Sequence, residues 1–213
     1  MLNLVRARSA SKRQRMERDA RRRQLLRCAV EVFAQRGLGR AGHADVARLA
    51  GVAVPTVFSY FPTREDLVDA VIEEVHGFYE TIGKTADRQL GSLEDRLIAQ
   101  AQAFADSVDT HRDHARILLD WSSAVASDTW QRYMTLVEER LQNVRYMIEI
   151  AQQTGEVPSE VDAEDAARLF ISQGHMLVFM KFAYRDAEAI HRYLVHLVRS
   201  ALSVPCRATA VAG

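Results

Sequence analysis

The chain has 213 residues, 48% hydrophobic and 26% charged, an ordinary globular composition with room for one or two modest domains. No apolar run approaches the roughly 20 residues that span a bilayer, and Cys28 and Cys206 are too few and too far apart for a disulfide framework or a zinc set. The formal net charge is zero, yet residues 1–64 carry 14 Lys/Arg against 4 Asp/Glu while residues 65–213 carry 14 against 24. A head of net +10 on a body of net −10 points to a polyanionic partner for the head alone.

Most of the excess lies in the opening "RARSASKRQRMERDARRR", Arg6 to Arg23. An Arg- and Ser-rich presequence is one alternative, but the run passes without a spacer into a helix with its own apolar face. Residues 1–18 are therefore expected to be a basic arm, and residues 19–64 a DNA-binding domain. From about Asp19, Leu25, Leu26, Ala29, Val32 and Phe33 recur at helical spacing, with Gly37 as a left-handed stop. "GLGRAG", Gly37 to Gly42, satisfies G-x-G-x-x-G. A dinucleotide fingerprint must follow a strand; here a helix precedes it, so a link with free amides for a DNA phosphate is the better reading.

Ala44 to Ala50 predicts a short second helix and Pro55 to Phe61 a third, joined through Gly51. Gly51 supplies the left-handed residue of the turn and Val52 the plug between helices, which makes this a helix-turn-helix. Its second helix carries no charge, as suits a rod whose backbone must approach base edges closely. Thr56, Ser59 and Val57 are candidate base contacts, and Tyr60 a phosphate contact, with Phe58 and Phe61 facing inward. Pro55, Gly42, His43, Arg40 and Arg64 complete the expected DNA surface, together with Arg6, Arg8, Lys12, Arg13 and Arg15 of the arm.

Thr63 with Asp66 resembles a capping box opening a long fourth helix through Leu67, Val71, Val75 and Phe78. Ser92 with Asp95 caps a fifth, "HARILLDWSSAVA" forms a sixth, and Asp128 opens a seventh from Thr129 to about Thr154. "GEVPSEVD" is a loop, after which Asp162 leads into an eighth helix and Asp186 into a ninth. The pattern is all-α throughout, with residues 65–205 as a helical effector-binding and dimerisation domain and 206–213 as a tail. Leu169, Phe170, Gln173, Gly174, Leu177 and Val178 share one face of the eighth helix. Ile190, Tyr193, Leu194, Leu197, Val198 and Ala201 share one face of the ninth. These two faces either pack on the body or dock on a second copy as a four-helix bundle; the wide stripe favours a dimer interface of Leu169, Gln173, Val178, Ile190, Tyr193, Leu194, Leu197, Val198 and Ala201. Tyr79, Ile82, Leu97, Phe104, Leu118, Trp121, Met134, Leu141, Phe170, Gly174 and Leu177 either make core or line an apolar effector pocket. Asp120 is the odd charge in an apolar helix, either satisfying a neighbouring helix or anchoring a ligand.

"HADVARLAGVAVPTVFSYFPTREDLVDAV" resembles the DNA-binding domain of TetR-family transcriptional regulators. "GRAGHADVA", "TVFSYFPTREDLVD" and "DWSSA" further resemble the vibrio quorum-sensing master regulators of the HapR and SmcR type. That resemblance implies an all-helical homodimer, a partly palindromic operator and an arm reaching an adjacent minor groove. Where that subgroup has Asn and Ala, this chain has Ser59 and Pro55, so the operator sequence does not carry over. The subgroup's "WFEW" is Leu118-Leu119-Asp120-Trp121 here, which alters any pocket. The resemblance raises an apolar effector pocket to equal standing with plain core, and a ligand there is expected to act by tilting the fourth helix.

The expected function is a sequence-specific, homodimeric transcriptional regulator in a bacterial cytoplasm, with reading helices about one duplex turn apart. A nonspecific nucleoid-type protein using the arm alone is the alternative. No catalytic motif, cofactor fingerprint or metal set is present: His111 with His114 and His191 with His196 lack metal-ligand spacing.

Overall fold

A computed structural model describes residues 2–87, 91–125, 127–183 and 186–203, without the side chains of residues 2–15, 86 and 87. Among the described residues there are ten helices and no strand: α1 Leu2–Arg36, α2 His43–Ala50, α3 Val54–Phe58, α4 Arg64–Asp87, α5 Leu93–Thr110, α6 Arg112–Ser123, α7 Trp130–Gln153, α8 Ala163–Ser172, α9 Gly174–Ala183 and α10 Ala187–Ala201. The first helix begins at Leu2, not near Asp19. The basic segment contains neither Gly nor Pro and is rich in Arg and Ala, both compatible with helix. The expected eighth helix divides into α8 and α9 at Gln173, whose backbone stays in the helical region (φ −75°, ψ −8°). The third helix is shorter than expected. Its last turn tightens as Tyr60 N–H bonds to the Val57 carbonyl, ahead of a proline that disfavours further helix.

Caps largely follow the sequence. Thr63 and Asp66 bond reciprocally, with Asp66 N–H to Thr63 Oγ1 at 3.0 Å and Thr63 N–H to Asp66 Oδ2 at 2.9 Å. Ser92 and Asp95 do the same, and Asp162 and Asp186 each accept two first-turn amides. Asp128 is no cap: the N-cap of α7 is Thr129, without a side-chain bond.

The chain divides into two compact units. Unit 1 comprises residues 1–75 and 116–120; unit 2 comprises 76–115 and 121–213. Unit 1 closes around Leu25, Ala29 and Phe33 of α1, Val46 of α2, Val57 of α3, Phe61, and Leu67 and Val71 of α4, all at most 1% exposed. Unit 2 closes around one cluster that includes Leu97, Leu141, Ile148, Phe170, Leu177, Ile190 and Leu194.

Candidate nucleic-acid interface

Gly51 holds φ 66°, ψ 35° after α2, and its N–H and that of Val52 close the last turn of α2 onto Arg48 and Ala47 carbonyls. A side chain there would be strained, so the turn between α2 and α3 depends on glycine. Pro55 lies in the first turn of α3, where no amide is needed. Val57 and Phe61, one turn apart, are buried at 0% and 1% and pin α3 to unit 1. The opposite side leaves Pro55, Phe58 and Ser59 exposed and Thr56 and Tyr60 half-buried, with no charge among them. Ser59 Oγ donates to the Thr56 carbonyl at 2.7 Å, which closes the end of the helix.

Three expectations change here. Val57 lies wholly inside, so it does not present its methyls to a base. Phe58 points outward at 45% exposure instead of inward, because Val57 and Phe61 already occupy the buried side. His43 is 6% exposed and structural: its Nε2–H donates to the Phe61 carbonyl at 2.7 Å, and its ring stacks on Phe58 at 3.9 Å and 5°.

Two arginines of α1 lie over the aromatic rings that follow α3. Arg18 lies over the Tyr60 ring at 5.9 Å and Arg22 over Phe61 at 5.2 Å, so α1 flanks the end of the reading helix. Arg18 was expected only as the last residue of the basic arm and Arg22 not at all; the i, i+4 spacing of the two on one helical face was the available signal. Arg40 is exposed, with Nε bonded to the Arg36 carbonyl at 3.1 Å. Arg64 donates Nη2 to the Leu38 carbonyl and so bonds the α1–α2 link as well as facing solvent in part. Gly42 is the N-cap of α2 in extended backbone (φ −161°), with no side-chain bond to the helix's first amides. The side chains of Arg6, Arg8, Lys12, Arg13 and Arg15 lie outside the described residues.

Residues 25–71 match the family model for bacterial regulatory proteins of the tetR family. The HTH-type transcriptional regulator LuxR of Vibrio harveyi is 34% identical over 196 residues, covering 91% of this chain and 93% of its own. The chain belongs to the TetR family of transcriptional regulators. The HTH-type transcriptional regulator TtgR of Pseudomonas putida is 25% identical over 165 residues, 73% of this chain and 77% of its own. Among solved structures, FadR from Bacillus subtilis in complex with stearoyl-CoA aligns with TM-score 0.69 over 84% of this chain and 98% of its own. At 19% identity that likeness is one of fold. These TetR-family relatives are regulators, not enzymes, and no helix among the described residues is long and apolar enough to cross a membrane.

Unit 2 redistributes the remaining expected residues. Leu97, Leu141, Phe170 and Leu177 join one buried cluster, with Phe104 packed against it and Gly174 facing the Phe104 ring. Tyr79 is buried beside Phe104, ring centroids 5.3 Å apart, and burial pushes its phenol well above the usual tyrosine range. Trp121 is 1% exposed, edge-on to Tyr133, and donates Nε1–H to the Thr129 carbonyl at 2.9 Å. Ile82 is half-buried. Leu118 groups with unit 1. Met134 is 40% exposed and lines an open hollow of about 750 Å³ with Glu80, Glu138 and Glu139.

Tyr133 Oη lies 3.1 Å from His175 Nε2, and burial holds the His175 imidazole below its ordinary 6.5. The unfolded chain therefore takes up the proton first, and this contribution, full above pH 6.5, is lost as pH falls toward the lower folded value. The urea midpoint is expected to drop between about pH 7.5 and about pH 5.5, and to drop less in His175→Gln. Equal slopes in the two proteins would refute this assignment.

The expected dimer face is corrected in most of its members. Val178, Ile190, Leu194 and Val198 are at most 1% exposed, and Leu197 and Ala201 at most 8%. The residues of α10 face their own protomer because α10 packs on α5 and α8, and Val178 does so because α9 packs on α5. Tyr193 turns its hydroxyl to Gln173, a bond within the chain. Leu169 does face outward at 41%, and Met176 at 47% and Phe179 at 56% are exposed on α9.

Proposed function

We propose that the chain is a homodimeric, sequence-specific DNA-binding regulator that places α3 in the major groove of a partly palindromic operator. The observation that carries this reading is the uncharged outer face of α3, with Pro55, Thr56, Phe58 and Ser59 turned out while Val57 and Phe61 are locked behind. Short hydroxylated side chains let the helix approach, Phe58 offers an apolar contact for a thymine methyl, and the surrounding arginines supply affinity through phosphates. Arg18 and Arg22 lie over Tyr60 and Phe61, Arg40 and Arg64 bond the Arg36 and Leu38 carbonyls ahead of α2, and the basic arm reaches a neighbouring groove. Dimerisation uses Leu169, Met176 and Phe179, large apolar side chains exposed on α8 and α9. The cytoplasm is the compartment this activity requires, and an apolar effector in unit 2 is in keeping with the acyl ligand of the FadR structure. Control of cell-density behaviour is the setting that the vibrio-type sequence resemblance suggests.

Selection of bound duplexes from a random library tests the reading. A two-fold symmetric consensus is expected, and featureless enrichment would leave only the nonspecific, nucleoid-type alternative. On the selected duplex, Thr56→Ala and Ser59→Ala are each expected to cost about 1–3 kcal/mol, with loss of preference confined to particular positions. Deleting residues 1–18 is expected to weaken binding to all sequences alike. It should also flatten the plot of log K against log salt by roughly 0.9 per phosphate contact removed.

A further inference from the structure

Ser59 spends both of its hydrogen-bond donors inside the reading helix. Its N–H bonds to the Pro55 carbonyl at 3.1 Å, and its hydroxyl donates to the Thr56 carbonyl at 2.7 Å. The second bond follows from the way α3 ends. In a continuing helix the Thr56 carbonyl would accept from Tyr60 N–H, but that amide turns to the Val57 carbonyl at 3.0 Å. The Ser59 hydroxyl takes the place it leaves. Swinging that hydroxyl away would strand a carbonyl in an interface from which water is expelled. Ser59 is exposed, so what it turns to a partner is the lone pairs of Oγ and no proton.

The groups beside it add no amide donor. Pro55 has no N–H, and Thr56 N–H bonds to the Ala53 carbonyl at 2.9 Å. Phe58, held by its stack on His43, offers only carbon. We propose that Ser59 is a specificity-determining residue that accepts and does not donate at the operator, so that it reads an exocyclic amine, N6 of adenine or N4 of cytosine. These are the hydrogen-bond donors that base edges present in the major groove, whereas N7, O6 and O4 are acceptors and repel a lone pair. A serine with a free hydroxyl would serve either kind of edge, and the bond to Thr56 removes that freedom.

This inference rests on the DNA-binding reading and deepens it, and its test uses the duplex recovered by selection. The base pair at which Ser59→Ala loses preference is rebuilt, in one half-site, with synthetic bases that each lack one group. Purine for adenine, or 2-pyrimidinone for cytosine, removes the amine. 5-Methyl-2-pyrimidinone for thymine, or 2-aminopurine for guanine, removes the carbonyl of the pairing base. Loss of the amine is expected to weaken the parent protein about five- to tenfold more than it weakens Ser59→Ala. Loss of the carbonyl is expected to weaken the two proteins alike. The cost of a poorer base pair falls on both proteins and cancels in the comparison. Equal effects of the amine on the two proteins, a larger difference from the carbonyl, or unaltered preference in Ser59→Ala would each overturn the proposal. Thr56→Ala keeps the carbonyl that Ser59 binds, so it is expected to retain the amine effect in full. Its own loss of preference at another position would leave the DNA-binding reading standing even where the Ser59 assignment fails.

Discussion

His43→Ala is expected to destabilise unit 1 by about 2–4 kcal/mol and to remove operator binding at concentrations that saturate the parent protein. The imidazole holds α3 at two points, a 2.7 Å bond to the Phe61 carbonyl and a near-parallel stack on Phe58. Because the carbonyl accepts, Nε2 carries the proton. Removing the ring leaves a buried acceptor unpaired and withdraws the surface on which the exposed Phe58 rests. His43→Phe separates the two effects, since it keeps an aromatic face for Phe58 but cannot donate. It should fall between the parent and the alanine variant in both the urea midpoint and duplex affinity. If both variants bind the duplex as the parent does, His43 has no part in positioning α3.

The reading helix itself was legible because it obeys local rules. Gly51, Pro55 and an uncharged run between two aromatics admit few other geometries. Which of those side chains faces outward was less legible. In a five-residue helix one turn carries all the orientation, and Val57 takes the buried place that Phe58 was expected to share with Phe61. Nothing in the neighbourhood of His43 marks it as buried, because its partners, Phe58 and Phe61, are 15 and 18 positions away. Asp120 shows the same limit. Its isolation in an apolar helix signals that something must satisfy it, but the Leu38 amide lies 82 positions off. The caps were easier, since Thr63 with Asp66 and Ser92 with Asp95 are closed within three residues. In unit 2 the period of α10 was read correctly and its partner was not. A stripe of Ile190, Leu194 and Val198 looks the same whether a second protomer or the chain's own α5 and α8 cover it.

That ambiguity yields the sharpest contrast among the expected results. Leu194 is fully buried in the unit 2 cluster, so Leu194→Ala is expected to cost about 2–5 kcal/mol of stability while the protein remains dimeric. Phe179 is 56% exposed with Met176 beside it on α9, so Phe179→Asp is expected to leave helical content intact and produce monomers. Sedimentation across a protomer dilution series, with circular dichroism on the same samples, separates the two. The aspartate variant should also lose operator affinity, because one half-site alone cannot recruit the second reading helix. Its melting should no longer depend on protomer concentration. The opposite pattern, a monomer from Leu194→Ala and an unaltered dimer from Phe179→Asp, would return the interface to α10. It would also require α10 to leave its own core on association, since the same leucine cannot fill both places at once.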